Sequence, residues 1–275
     1  MRLGLPDLRK SARERKIAML TCYDASFAGV LDRAGVDSIL IGDSLGMVVQ
    51  GHDSTLPVTV DDVAYHTRAV ARGCQRAFIV ADLPFGSYQA DPQQALASSV
   101  KLMQAGAQMV KLEGGEEMAP TIAFLVERGV PVCAHVGLTP QHVNTFGGYK
   151  VQGRGQAAAK VRSGAKAVVQ AGAGMIVIEA VPETLARDIS AKCAALTIGI
   201  GASGACNGQV LVLHDMLGVA SGRRPRFVKD FLLGSGGTAA PGASGPSVEA
   251  AVRAYVSQVQ SGEFPAPEHL YIESQ

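Results

Sequence analysis

Short apolar runs rich in β-branched and aliphatic residues alternate along the chain with longer segments in which apolar residues recur at helical spacing. Seven runs predict β-strands, at residues 17–23, 38–44, 77–83, 109–115, 130–137, 175–181 and 197–203. The segments between them and a later one predict helices at residues 27–35, 60–73, 92–106, 116–129, 155–172, 182–193 and 248–262. We expect an eighth strand within residues 210–231.

This alternation indicates the fold class. Strands that are apolar along most of their length are buried on both faces, as in a parallel sheet covered by helices. Seven or eight strand and helix units in about 250 residues favour an α/β fold of the (β/α)8 TIM barrel type. An open doubly wound sheet normally carries a G-x-G-x-x-G fingerprint, and none follows the first strand here. We therefore expect a single barrel domain over residues 1–275.

One segment departs from this pattern. Residues 234–247, "GSGGTAAPGASGPS", are small and of low complexity, and they cannot bury enough apolar surface to offset the entropy of ordering them. We expect a flexible loop there, and we expect the helix after it to dock on the barrel.

Composition and charge exclude several classes of partner. The chain has 275 residues, 47% of them hydrophobic, and 25 basic against 24 acidic residues give a net charge of +1. Without clustered lysine and arginine, nucleic acid is not an expected partner. The charged first residues do not predict a secretory signal, and no apolar stretch is long enough for a membrane helix. Five widely spaced cysteines without zinc-type spacing indicate reduced thiols and a cytoplasmic protein.

Ionisable side chains end five consecutive predicted strands. They are Asp43, Asp82, Lys111 with Glu113, His135 and Glu179. In a parallel barrel these strand ends converge on one mouth, where catalytic groups lie. Each residue alone could instead cap a helix or a loop, but the repetition on successive strands favours a functional site. Lys111 and Glu113 are two residues apart in an extended segment, so both should point to the barrel interior.

Three carboxylates aimed at one mouth repel one another, and a hard divalent cation relieves that repulsion. We predict that Asp43, Asp82 and Glu113 bind Mg²⁺, one of them through a water, because magnesium usually takes only one or two carboxylates directly. Mn²⁺ or Co²⁺ could substitute, whereas the absence of a nearby cysteine and histidine cluster disfavours zinc.

Such a cation would chelate a 2-oxo acid through its carboxylate and keto oxygens and stabilise the enolate formed from it. Glu179, at the end of the apolar run "MIVIE", is the candidate base for the proton that leaves. Lys111 would pair with the substrate carboxylate or the enolate oxygen, and His135 would hydrogen-bond to either. A Schiff base on Lys111 is the competing interpretation, disfavoured because a lysine beside Glu113 stays protonated.

Several motifs in order carry a family resemblance: "GDSLGMVVQGHD", "ADLPFGSY", "GAQMVKLEGGE", "VPVCAHVGLTPQHVNTFGGYKVQGR" and "IEAVP". Over residues 5–231 the chain resembles the ketopantoate hydroxymethyltransferase family. The resemblance implies a (β/α)8 barrel similar to the phosphoenolpyruvate mutase and isocitrate lyase group. It also implies transfer of a hydroxymethyl group from 5,10-methylenetetrahydrofolate to 3-methyl-2-oxobutanoate, which forms 2-dehydropantoate and tetrahydrofolate in pantothenate biosynthesis.

The resemblance also implies roles for the matching positions. Asp43 and Asp82 resemble the Mg²⁺ ligands, which also contact substrate, and Glu113 resembles a third acidic group of that site. Ser44 and Lys111 resemble substrate contacts.

For the other strand-end residues, Glu179 resembles the proton acceptor and His135 a neighbouring substrate-site residue. A homo-oligomer is implied as well, often of ten subunits.

Alternatives remain open from the sequence. A lyase of the phosphoenolpyruvate mutase type would share the metal and 2-oxo acid site, and a non-catalytic barrel could serve as a binding protein. Residues 146–154, "FGGYKVQGR", could form a lid or an ordered surface loop. We interpret His214 as structural.

Overall fold

Eight parallel strands form a closed barrel in chain order, with the last strand paired to the first. The computed structural model describes residues 2–219, 224–234 and 247–273. The strands are β1 Ile17–Thr21, β2 Ser38–Ile41, β3 Phe78–Asp82, β4 Met109–Glu113, β5 Val132–Gly137, β6 Met175–Glu179, β7 Leu196–Ile200 and β8 Gly208–Leu211. The predicted TIM barrel is confirmed.

One helix precedes the first strand, and the others follow strands, with the longer ones packed around the barrel. They are α1 Leu5–Ser11, α2 Ala25–Ala34, α3 Leu45–Val48, α4 Val60–Gly73, α5 Pro92–Gln104, α6 Ala119–Glu127, α7 Val143–Phe146, α8 Ala157–Gln170, α9 Glu183–Lys192, α10 Leu213–Met216, α11 Phe231–Gly234 and α12 Val248–Ser261. Every predicted helix is present, whereas α1, α3, α7, α10 and α11 are too short to show a clear helical period and were not predicted.

Helix α4 shows why some boundaries can be predicted from sequence. The Thr59 hydroxyl accepts from the Asp62 backbone N–H at 3.2 Å, and the Asp62 carboxylate accepts from the Thr59 N–H at 2.9 Å. This capping box satisfies backbone donors that the first turn leaves free, and the helix begins at the predicted residue.

The eighth strand is the one element that the sequence misplaces. It spans Gly208–Leu211, so only its last two residues fall within the predicted window of 210–231. Gly208 lacks the branched side chain that marks a strand, but a Cβ at this position would meet the Ile17 backbone of β1. The close contact that closes the barrel therefore requires a glycine at position 208. The same glycine has a low strand propensity, which is why the sequence pattern did not indicate a strand here.

The segment after the small-residue run docks as expected. The Tyr255 hydroxyl of α12 is fully buried and lies 2.9 Å from the backbone oxygens of Met19 and Gln209, on the first and last strands. The flexible loop predicted at 234–247 stays a prediction, because residues 235–246 lie outside the described residues. All five cysteines are free. Among the described residues, no helix has the length and apolar character needed to cross a membrane.

Strand register brings the polar strand ends to one level. Asp82 of β3 pairs with Lys111 of β4, and Glu113 pairs with His135 of β5. Gly137 then pairs with Glu179 of β6. Because the strands are parallel, these residues converge at the carboxyl end of the barrel.

Candidate active site

A cavity of about 1260 Å³ opens at the carboxyl ends of the strands. Every sequence-predicted site residue lines it: Asp43, Ser44, Asp82, Lys111, Glu113, His135 and Glu179. Residues more than 130 positions apart in the chain thus share one chamber, as the barrel geometry predicts.

A buried ion pair lies at the base of this cavity. Lys111 Nζ is 2.7 Å from Asp82 Oδ1, and the two side chains are 5% and 3% exposed. Burial lowers the pKa of Lys111, but the negative charges of Asp82, Glu113 and Asp43 outweigh it and leave that pKa raised. A Schiff base requires a neutral amine, so this environment disfavours that role for Lys111.

Asp43 completes the acidic side of the cavity. Its backbone N–H donates to Asp82 Oδ2 at 3.0 Å, and its own Oδ2 accepts from the Gln141 side chain at 2.8 Å. Burial, together with the negative charges of Asp82 and Glu113, raises the pKa of Asp43 well above its usual range. A cation bound at this point would offset the negative charges that contribute to that shift.

His135 lies between two carboxylates on the neighbouring strands. Its Nδ1 is 3.3 Å from Glu113 Oε1 and its Nε2 is 3.2 Å from Glu179 Oε2. Neither contact has hydrogen-bond geometry, so the attraction is that of charges, which depends on distance more than on angle. Burial and the charge of Lys111 lower the pKa of His135. Glu113 and Glu179 raise it by more, so the pKa lies above its ordinary value, at about 9. The imidazole is therefore protonated at neutral pH.

The two glutamates around His135 differ in access to the cavity. The Glu113 side chain is 1% exposed, whereas that of Glu179 is 14% exposed. Burial raises the pKa of Glu113, but His135 and Lys111 lower it more, so this carboxyl stays ionised. Glu179 is the one of the pair that a bound molecule can reach.

Ser44 is oriented by an aromatic neighbour. Its Oγ lies 2.9 Å from the hydroxyl of Tyr23, which is almost fully buried beside β1. Burial raises the pKa of Tyr23, so the phenol keeps its proton and can donate to the serine. The half-buried Ser44 thus presents an ordered hydroxyl beside Asp43.

A family model described as ketopantoate hydroxymethyltransferase matches residues 2–267. The chain belongs to the ketopantoate hydroxymethyltransferase family. A relative from Burkholderia lata named 3-methyl-2-oxobutanoate hydroxymethyltransferase 2 is 61% identical over 257 residues, which cover 93% of this chain and 91% of the relative. The chain is therefore a transferase of this family, which disfavours the lyase and non-catalytic alternatives.

Solved structures show how far the fold extends beyond this family. Phosphonopyruvate hydrolase, crystallised with oxalate and Mg²⁺, has a TM-score of 0.57 at 14% identity, and the match covers 76% of this chain and 81% of that one. A 2,3-dimethylmalate lyase of the phosphoenolpyruvate mutase and isocitrate lyase superfamily has a TM-score of 0.51 at 16% identity, with 72% of each chain covered. At identities this low, the likeness shows only that this chain and those proteins share a fold.

The cavity of this ketopantoate hydroxymethyltransferase family member also involves residues that the sequence did not single out. Gln141 and Tyr88 are both buried and hydrogen-bonded to each other at 2.6 Å, and Gln141 contacts two of the predicted acidic residues. Gln141 lies in a three-residue 3-10 helix after β5, which is too short to carry a periodic signal, so only the folded structure shows these contacts.

The segment 146–154 lies at the mouth of the cavity. Tyr149, Lys150 and Arg154 line the cavity, and the backbone N–H of Gln152 donates to the Ala180 oxygen at 2.9 Å. Ala180 follows Glu179 and has a φ of 44°, a left-handed conformation that is uncommon for a residue other than glycine. The lid interpretation of this segment stays a prediction.

His214 also lines the cavity. The interpretation of this residue as structural stays a prediction. Its ring centroid is 5.6 Å from that of Tyr23, and among the described residues its Nδ1 has no hydrogen-bond partner.

The acidic residues fit an open magnesium site better than a closed one. Both oxygens of Asp82 and both of Glu113 already contact nitrogen atoms of the protein. In the part of the chain that the structure describes, no group of three histidine, cysteine, aspartate or glutamate side chains could hold a metal ion. Magnesium commonly binds through one or two carboxylates and completes its octahedron with water and substrate oxygens, and Asp43 with Asp82 can supply that number.

Proposed function

We propose that this chain transfers a hydroxymethyl group from 5,10-methylenetetrahydrofolate to 3-methyl-2-oxobutanoate, forming 2-dehydropantoate and tetrahydrofolate. The name of the relative from Burkholderia lata, 3-methyl-2-oxobutanoate hydroxymethyltransferase 2, supports 3-methyl-2-oxobutanoate as the acceptor. The observation that carries the chemistry is that one cavity is lined by two kinds of carboxylate. The Glu179 side chain is 14% exposed, whereas that of Asp82 is 3% exposed and is paired with Lys111.

The acidic side would hold the 2-oxo acid. Asp43, whose Oδ1 makes no hydrogen bond among the described residues, and Asp82 would bind Mg²⁺, or Mn²⁺ or Co²⁺ in its place. Glu113 would act through water, because magnesium usually binds through only one or two carboxylates. The cation supplies positive charge that stabilises the keto oxygen as it becomes negative. Lys111 stays protonated beside that oxygen and adds to this effect, and the ordered Ser44 hydroxyl donates to a substrate oxygen.

Glu179 would accept the proton from C3 of the 2-oxo acid. Its carboxylate is held 3.2 Å from the protonated ring of His135, which fixes its position without closing it off from the cavity. His135 is in turn held between Glu179 and Glu113, so the three side chains form one charged row across β4, β5 and β6.

The remaining steps join the enolate to the one-carbon unit of the folate and release tetrahydrofolate. The enolate carbon forms a bond to the methylene carbon of the folate, and both bonds from that carbon to folate nitrogens break. One water supplies the hydroxyl oxygen of the product, and the nitrogens regain protons as tetrahydrofolate. The cavity of about 1260 Å³ exceeds the roughly 300–1,000 Å³ of common small-molecule sites, which supports binding of two substrates in one chamber.

The assembly and location of the protein are also part of this proposal. A homo-oligomer, of up to ten subunits, is what the resemblance to the family implies. A cytoplasmic location is supported by five free cysteines, four of them buried.

Proton exchange at C3 tests the enolate step without folate. We expect the native protein with Mg²⁺ in D₂O to exchange the C3 hydrogen of 3-methyl-2-oxobutanoate for deuterium, measured by proton NMR. Glu179→Gln should slow that exchange by about 10²-fold or more, the usual contribution of a positioned base. Glu127→Gln, on the outer helix α6 and beside Arg128, is a matched control and should exchange at the native rate. Native exchange in Glu179→Gln would exclude it as the base, and no exchange in the native protein would exclude the enolate route.

A further inference from the structure

Gln141 occupies an unusual position behind the candidate active site. It lies in a short 3-10 helix, Pro140–His142, directly after β5, and it is 4% exposed. Gln141 does not line the cavity. Its side-chain amide and backbone nitrogen nevertheless reach two acidic residues of the cavity, Asp43 and Glu113.

Every polar atom of this side chain is used. Nε2 donates to Asp43 Oδ2 at 2.8 Å and to the Leu83 backbone oxygen at 3.0 Å. Oε1 accepts from the Tyr88 hydroxyl at 2.6 Å and from Gln89 Nε2 at 3.2 Å. A buried amide with all of its hydrogen bonds satisfied is held in one orientation.

The identity of the two amide atoms follows from their partners. The Leu83 carbonyl can only accept, so the atom facing it must be the NH₂ group. The Tyr88 oxygen already accepts from the backbone N–H of Glu113 at 3.1 Å, and its own proton goes to the nearest acceptor, Gln141 Oε1. The amide therefore cannot turn over without placing Oε1 against a carbonyl and a carboxylate.

This orientation has a consequence for Asp43. One carboxylate oxygen, Oδ2, is fixed by the Gln141 donor, and in the part of the chain that the structure describes no hydrogen bond is made by Oδ1. The backbone N–H of Gln141 fixes Glu113 Oε2 at 3.0 Å in the same way. One residue thus sets the rotamers of two acidic side chains that come from β4 and from the loop after β2.

We propose that Gln141, held by Tyr88, is a positioning residue that presents the free oxygen of Asp43 to a divalent cation. This inference rests on the proposed magnesium site and deepens it. Gln141 contacts neither substrate nor cation, and it acts through Asp43 and Glu113. Partners that orient metal ligands typically change metal affinity by about 10- to 100-fold when they are removed.

Magnesium binding to the purified protein, measured by isothermal titration calorimetry without substrate, tests this role. Gln141→Met keeps the length of the side chain and removes its hydrogen bonds, and we expect the Kd for Mg²⁺ to rise by about 10- to 100-fold. Gln209→Met is the matched control, because Gln209 is 3% exposed and donates to the Ser203 oxygen away from the acidic residues. We expect the control to bind Mg²⁺ with the native Kd. A general loss of packing would raise the Kd in both variants, so a rise in Gln141→Met alone would show a specific effect.

A second variant covers the case in which Gln141→Met does not fold. Tyr88→Phe keeps the ring and removes the hydroxyl that fixes the amide, and we expect it to raise the Kd for Mg²⁺ in the same direction but less. Native Mg²⁺ affinity in folded Gln141→Met, or in Tyr88→Phe if the first is unfolded, would overturn the positioning role and leave the metal site standing. Failure of the native protein to bind Mg²⁺ would overturn the metal site and the inference together.

Discussion

Replacing Lys111 by methionine is the most direct test of the charge balance in the cavity. The change keeps the size of the side chain and removes the cation that lies 2.7 Å from Asp82 Oδ1. Asp82, 3% exposed, would remain beside Asp43 and Glu113 without its cationic partner. Breaking a buried ion pair by removing one partner costs about 3–5 kcal/mol.

That cost should be visible in thermal unfolding. For a domain of this size, 1 kcal/mol corresponds to roughly 2–4 °C in Tm, so Lys111→Met should lower Tm by roughly 6–20 °C. Circular dichroism melts in the presence of a chelator would measure the effect without a contribution from bound metal. Lys101→Met is the matched control, because Lys101 pairs with Asp61 at 3.5 Å on the surface, where both side chains are more than half exposed. Exposed pairs contribute about 0–1 kcal/mol, so the control should shift Tm by no more than a few degrees.

The Tm values of the two variants show whether the buried ion pair stabilises the fold. A Tm for Lys111→Met equal to that of Lys101→Met would mean that the acidic residues do not depend on the lysine for stability. In that case the three carboxylates would have to be neutralised in another way, and the ion pair could not be the reason why Lys111 stays charged.

Two further predictions concern the row of charged residues next to this pair. The pKa of His135 is raised in the folded state to about 9 from its ordinary 6.5, so its stabilising contribution is complete below pH 6.5 and is lost as pH rises through 9. The Tm difference between the native protein and His135→Gln should therefore shrink over that range in a pH series, and parallel curves would contradict the assignment. Gly137→Ala should lower both Tm and the C3 exchange rate, because the added Cβ would press on the Glu179 carbonyl oxygen at a φ of 95°. Gly129→Ala, at a φ of 79° with no atom near the added Cβ, carries the same backbone strain and should lower Tm less without slowing exchange.

Local patterns account for how much of the fold could be predicted. Continuous apolar runs and helical periods depend on burial of each element by itself, and they located seven strands and every long helix. The capping box at Thr59 even set a helix end, because its hydrogen bonds join residues three apart. The strand at Gly208–Leu211 was placed too late in the chain, because its pairing with β1 depends on a contact that exists only when the barrel closes.

For the candidate site, the sequence determined which residues reach the mouth of the barrel, because the carboxyl ends of all its parallel strands lie there. The tertiary structure decided what each one contacts there. Barrel register places His135 between Glu113 and Glu179, and packing brings Gln141 to Asp43, 98 positions away. Periodicity within a segment contains no information on distance between segments. The charge state of the histidine, the single free oxygen of the aspartate and the accessibility of the glutamate are therefore set by the folded chain alone.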